Sequence, residues 1–270
     1  MATDTYNFEP KGQASTYPPS VDVKNTISAS LDELLPDKAI NVLWNNYFYY
    51  FTWIESINAI VSQGNDSAGN TQANITIPGS WEVATSGSGS LSFGTAGAVL
   101  ATGATNGSAT GIDKRPISQA IIRLDKPQRF RTAFRLSATT NQVAYLVRGG
   151  VAIAGATNKY FGFRINGNAL QGTVENNNAS TRTNLDLGVT LSANTTYEVE
   201  ARLFPNDKVI FLVKNATTNI FEEKGVIATY GAAGIPTGTT QVDFFEFYIG
   251  NSAAEDKQIT VSYVEYVQLR

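Results

Sequence analysis

From Gln119 to the C-terminus the chain is a succession of short segments in which β-branched and aromatic residues alternate with polar ones, each ended by turn-forming residues. A period of two sends one side of each segment to a core and the other toward water, which is the signature of half-buried strands. The pattern predicts strands over Ala120–Leu124, Arg129–Ser137, Val143–Val147, Tyr160–Asn166, Ala169–Glu175, Thr183–Leu187, Thr196–Phe204, Lys208–Lys214, Ile220–Val226, Val242–Gly250 and Ile259–Gln268. Asn166-Gly167-Asn168 and Pro205-Asn206-Asp207 read as hairpin turns. The last two strands are apolar on both faces, as in Phe244 to Phe247 and in Val261, Tyr263, Val264, Tyr266 and Val267. They are therefore expected at central positions, or with their second face against a partner. The fold class predicted is mainly β: an antiparallel two-sheet jelly-roll sandwich, preceded by an extended arm and one long N-terminal α-helix.

The chain divides into four parts. Residues 1–29 carry Pro10, Pro18 and Pro19 without any period and read as an extended arm that docks on a partner or stays unfolded. Residues 30–63 open with a capping-box spacing at Ser30 and Glu33, and Pro36 suits a first helical turn. Apolar residues then fall at Ile40, Leu43, Tyr47, Tyr50, Ile54, Ile57 and Val61, in steps of three and four, with Trp44, Phe48 and Phe51 widening the stripe. A helix so apolar needs a cover, because each large side chain left in water forgoes roughly 2–3 kcal/mol. Two covers are open, further copies of itself (a homotrimer being favoured) and the face of its own sandwich or another protein. Residues 64–118, rich in Gly, Ser and Thr, form strands and loops of the first part of the sandwich, at Ile75–Ile77, Trp81–Val83, Leu91–Phe93 and Ala98–Ala101, with a flexible run from Ser86 to Ser90. Residues 119–270 complete it.

Composition excludes several chemistries. The chain has no Cys and no His, so disulfides, thiol nucleophiles, His-based triads and the usual zinc sites are ruled out. A net charge of −3 argues against nucleic acid as a partner. Lys114, Arg115, Arg123, Lys126, Arg129, Arg131 and Arg135 form a locally basic segment against Asp113 and Asp125, expected as solvent-facing strand positions. No apolar run is long enough to span a membrane, and no signal peptide is visible. Six Asn-x-Ser/Thr triplets, at Asn65, Asn74, Asn106, Asn178, Asn194 and Asn215, are what an Asn- and Thr-rich chain contains by chance.

The run Tyr160-Phe-Gly-Phe-Arg-Ile-Asn-Gly-Asn-Ala-Leu-Gln-Gly, followed by Thr196-Tyr-Glu-Val-Glu-Ala-Arg-Leu-Phe-Pro-Asn-Asp-Lys-Val-Ile-Phe-Leu-Val, resembles the concanavalin-like (laminin-G-like) sandwich over roughly residues 120–270. Such a sandwich behind an N-terminal helix is similar to head-fibre and tail-fibre proteins of tailed bacteriophages. That resemblance implies a structural virion protein, made in the cytoplasm without a signal peptide and carried on the particle surface. It also implies a homotrimer, contacts with other virion proteins through the arm, and contact with host-surface glycans. A carbohydrate-binding module or adhesin is the alternative.

No catalytic residue, cofactor or metal site is assigned, and the chain is expected not to be an enzyme. Glycosidases of this sandwich place three alternating acidic residues in one strand. Glu198 and Glu200 share a face, but Arg202 takes the third place, so the pair is expected to be solvated. Asp243 and Glu246, three apart, point to opposite faces. Oxygen-rich turns such as Asn176-Asn177-Asn178 lack the carboxylates that calcium needs. Candidates for glycan contact are turn-proximal aromatics, Trp81, Tyr145, Tyr160 and Tyr230, the alternative being that each packs as core or edge cover.

Overall fold

The computed structural model describes residues 50–56, 81–114, 122–149, 159–176, 182–231, 233–240 and 245–269. By backbone contacts the chain separates into residues 1–50 with Leu269 and residues 51–268 with Arg270, and the sandwich belongs to the second unit. Its strands are β1 (Tyr50–Ser56), β2 (Trp81–Ser86), β3 (Ser90–Gly94), β4 (Gly97–Ala101), β5 (Ala109–Lys114), β6 (Ile122–Arg123), β7 (Gln128–Leu136), β8 (Gln142–Gly149), β9 (Tyr160–Asn166), β10 (Ala169–Glu175), β11 (Thr183–Thr190), β12 (Thr196–Phe204), β13 (Lys208–Lys214), β14 (Phe221–Ile227), β15 (Thr239–Thr240), β16 (Phe245–Asn251) and β17 (Gln258–Leu269).

One sheet has eight strands, in the order β14-β13-β12-β7-β17-β4-β3 with β1 also on β17; the other has seven, β11-β10-β9-β8-β16-β5-β2. Neighbours such as β7 and β12, or β8 and β16, run antiparallel. The doubly apolar strands are central as expected: β16 lies between β8 and β5, and β17 between β7 and β4.

The core lies between the sheets. Phe130, Phe134, Val199, Ala201, Phe211 and Val264 enter from one sheet, and Leu146, Phe163, Ile165, Leu170 and Phe247 from the other. Phe163 meets Phe211 edge to face at 5.6 Å. A Cβ on Gly172 would come within 2.6 Å of the Phe211 ring, so this strand needs glycine to seat the aromatic pair. In β17 the register slips between Val261 and Tyr263. This bulge lets Val261 and Val264 both enter the core, which strict alternation forbids.

Two sequence expectations fail here. Tyr50, Phe51 and Ile54, placed on the helical stripe, lie in β1, a strand paired to β17. The segment Tyr50-Phe-Thr-Trp-Ile-Glu-Ser is aromatic and β-branched, the composition that suits a pleated surface, and its apolar residues fit either period. Ile40, Leu43, Trp44, Tyr47, Phe48, Ile57 and Val61, the arm 1–29 and the Ile75–Ile77 strand fall outside the described residues. The Ser86–Ser90 run is a tight turn, closed by a Gly89 N–H to Ser86 carbonyl bond of 3.1 Å, with Ser88 N–H donating to Ser108 Oγ at 3.0 Å. β5 had no counterpart among the expected strands.

An arginine also lies inside the sandwich. Arg148 shares the inward face of β8 with Ala144 and Leu146 and is buried. Its guanidinium sits 4.1 Å from the Tyr266 ring centre, and its Nε donates to Gln128 Oε1 at 3.2 Å. Burial lowers its pKa, against the pull of Tyr266.

Candidate functional site

The two outward faces carry different chemistry. On the eight-stranded sheet, β12 turns Tyr197, Val199, Ala201 and Leu203 inward and Glu198, Glu200 and Arg202 outward, as the alternation requires. Register places Glu200 opposite Arg131, and Arg131 opposite Glu265. Arg131 donates to Glu200 Oε2 through Nε at 2.9 Å and to Glu265 Oε2 at 3.1 Å; Arg202 Nε donates to Glu200 Oε1 at 2.5 Å. Arg129 is ion-paired with Glu265. Glu198 accepts from Lys214 Nζ and from the Tyr263 hydroxyl, each at 2.7 Å. The expected solvation is thus corrected for Glu200, whose side chain is 0% exposed, while Glu198 keeps 22% of its side chain in solvent. The basic segment is corrected at Arg129, which is buried, and at Arg131, which spans two carboxylates, while Arg123 and Arg135 are exposed as expected. Burial pushes the Glu200 carboxyl up, but the guanidiniums of Arg202, Arg131 and Arg129 outweigh it and hold it below the usual carboxylate range. Burial, and then the hydrogen bond to Glu198, raise the Tyr263 phenol far above its ordinary value.

The outward face of the seven-stranded sheet holds a mixed row of aromatic and polar groups. Across β11-β10-β9-β8-β16-β5, register aligns Asp186, Gln171, Arg164, Tyr145, Tyr248 and Gly111. One residue pair along, it aligns Asn184, Thr173, Gly162, Val147, Glu246 and Asp113. Tyr160 and Glu175 are opposite each other beyond them. Tyr145, Val147 and Tyr160 form a second apolar cluster, with Val143 and Tyr248 against it. The Tyr145 and Tyr248 rings lie 6.1 Å apart at 47°. Arg164 Nε donates to the Tyr145 hydroxyl at 3.3 Å and its Nη1 to Gln171 Oε1 at 2.5 Å. Arg182 donates to the same hydroxyl, its guanidinium 5.4 Å from the Tyr145 ring centre, and its Nε stands 4.0 Å from Glu175 Oε2. Thr173 donates to Asn184 Oδ1 at 2.8 Å. Burial drives the Tyr160 phenol far above its ordinary range; burial, Tyr145 and Glu246 raise that of Tyr248.

Of the four aromatics named as candidates for glycan contact, the fold gathers Tyr145 and Tyr160 on this face. Trp81 opens β2 opposite Lys114. Tyr230 stands elsewhere, 60% exposed beside the β12–β13 turn, donating to the Asp207 carbonyl at 3.1 Å. Sequence reasoning missed Arg164, Gln171, Arg182, Tyr248, Asp113 and Glu246. Glu246 had been weighed only against Asp243 in its own strand, whereas its neighbour in the sheet is Asp113. One local signal was available: Arg164 interrupts an otherwise apolar strand at the parity of Tyr160 and Gly162.

No protein-family model matches the chain, and no curated protein matches it. Solved structures do. A protein of unknown function from Shewanella oneidensis MR-1 is 13% identical, with 87% of this chain and 94% of that one covered, at a TM-score of 0.54. The β-glucanase of Bacillus licheniformis is 11% identical, with 80% and 97% covered, at 0.51. The apo form of the Crh5 transglycosylase is 12% identical, with 81% and 84% covered, at 0.52. At such identity the likeness is one of fold, the two-sheet concanavalin-like sandwich. It overturns the expectation that the chain is not an enzyme, which had rested on the missing Cys and His and on Arg202 in place of a third acidic residue: a β-glucanase and a transglycosylase are built on this same sandwich.

Proposed function

We propose that the chain recognises a glycan on the outward face of its seven-stranded sheet. The observation that carries this reading is the row of Tyr145, Tyr248, Arg164 and Gln171, with Arg182 reaching the same phenol. Sugar rings offer apolar C–H faces to aromatic rings and hydroxyls to fixed polar groups, and the half-buried Tyr248, Arg164 and Gln171, laid on the buried Tyr145, supply both side by side. The sandwich shared with a β-glucanase and a transglycosylase lends support at the level of fold. Affinity electrophoresis of the full chain through a panel of polysaccharides tests the reading. Retardation by at least one gel that is relieved in a Tyr145→Ala, Tyr248→Ala double variant supports it; migration unchanged in every gel sinks it.

A second reading, cleavage of the bound glycan, is favoured by Asp113 and Glu246. They are directly opposite in the ladder, a relation that sets Cβ atoms about 4.5–5.5 Å apart. Retaining hydrolysis asks for two carboxyl groups at about 5–5.5 Å. Reducing ends released by the wild type and lost in Asp113→Asn and Glu246→Gln would support it; release that survives both changes removes the pair.

The setting we propose is a virion appendage assembled as a homotrimer. Its support is the sequence of the arm and of the apolar segment from Ile40 to Phe48. A monomer in sedimentation equilibrium of the full chain overturns the trimer.

A further inference from the structure

We infer that the glycan taken by this face is anionic, its carboxylate or sulfate set against Arg164 and Arg182; the inference rests on the glycan-binding reading above. The half-buried Arg164 is bound only to neutral acceptors, the Tyr145 hydroxyl at 3.3 Å and Gln171 Oε1 at 2.5 Å. Among the described residues no carboxylate lies within ion-pair distance of it. Every buried arginine on the other outward face meets one: Arg129 meets Glu265, and Arg202 meets Glu200. Arg182 brings a second guanidinium to the same phenol oxygen, and its Glu175 contact is at the outer limit, 4.0 Å.

Two cations converging on one neutral oxygen repel each other, at a cost that a shared anion offsets. Asp186, aligned with Gln171 in the same row, keeps its carboxylate on the Gly188 N–H at 2.9 Å and does not supply that anion. Asp113 and Glu246 are in the next row, toward the other edge of the sheet. A guanidinium fork matches the paired oxygens of a carboxylate or a sulfate, and the half-buried Tyr248, packed on the buried Tyr145, is the ring that faces the sugar bearing the group. A neutral glucan would offer these guanidiniums hydroxyls alone.

The test is calorimetric titration of the full chain with polygalacturonate, dextran sulfate and a neutral β-glucan, in low and raised salt. The wild type, Arg164→Gln and Arg182→Gln are compared. The expected result is binding of a charged polymer that weakens with salt and falls at least about tenfold in Arg164→Gln, with a smaller loss in Arg182→Gln. Which charged polymer binds tells carboxylate from sulfate. Arg182, whose side chain is 29% exposed, carries the same test should Arg164→Gln not fold. Neutral β-glucan bound as tightly as either charged polymer, and equally by all three proteins, overturns the anionic reading and leaves glycan binding standing. Charged polymer bound at full strength by both variants overturns the site. No polymer bound by the wild type overturns both readings.

Discussion

The two outward faces of this sandwich are built by the same alternation and differ in how their charges are settled. On the eight-stranded sheet, Arg129, Arg131 and Arg202 are matched by Glu200 and Glu265, and Lys214 by Glu198. On the seven-stranded sheet, Arg164 is held by a phenol and an amide. A cation matched by carboxylates within the chain has little left to offer a ligand. A cation held by neutral dipoles keeps most of its charge available. The first face is therefore built for stability, and the second is the one we propose for recognition.

The largest effect expected from that distinction is in Glu200→Ala, which leaves Arg202 and Arg131 without their shared carboxylate in a buried place. A loss of about 3–5 kcal/mol in urea unfolding is expected, and a loss below about 1 kcal/mol would show the network to be ornamental. The same carboxylate gives a pH dependence. Its folded pKa is depressed, so its contribution is full above the unfolded value, near 4.3, and is lost as pH falls through the folded one. Wild-type stability should therefore fall on acidification below about pH 4 more steeply than that of Glu200→Gln; parallel curves refute the assignment. Next comes Tyr145→Phe, which deprives two guanidiniums of their common acceptor at an expected cost of about 1–2 kcal/mol in thermal or urea unfolding. Smaller again, Arg164→Gln should change stability by less than about 1 kcal/mol while weakening the salt-sensitive part of glycan binding at least about tenfold. If it instead destabilised as Glu200→Ala does, the comparison between the faces would collapse. Smallest is Tyr230→Ala, expected within about 0.5 kcal/mol of wild type and without effect on glycan binding, because its ring stands mostly in water.

Strand-level structure was readable wherever one face is apolar and the other polar. Thr196–Phe204 and Lys208–Lys214 begin and end where the alternation and the Pro205-Asn206-Asp207 turn put them. Reading failed at Tyr50–Ser56, where aromatics occupy both parities and the helical and strand periods fit equally. It failed again at Glu246, since its outward neighbour comes from a distant strand. Of the aromatics named as candidates for glycan contact, Tyr145 and Tyr160 share one buried cluster while Tyr230 stands exposed, and nothing local told these positions apart.

Residue types and their period determined by themselves that this chain is an antiparallel sandwich and, for an alternating strand such as β12, which side enters the core, because burial of apolar side chains is decided residue by residue along a strand. The register between strands was decided only by the tertiary structure. Arg131 meets Glu200 and Glu265, while Arg164 meets Tyr145 and Gln171, through ladders that join residues far apart in sequence. Electrostatic pairing acts across those ladders, so two arginines on outward positions acquire different partners that no reading along the chain can tell apart.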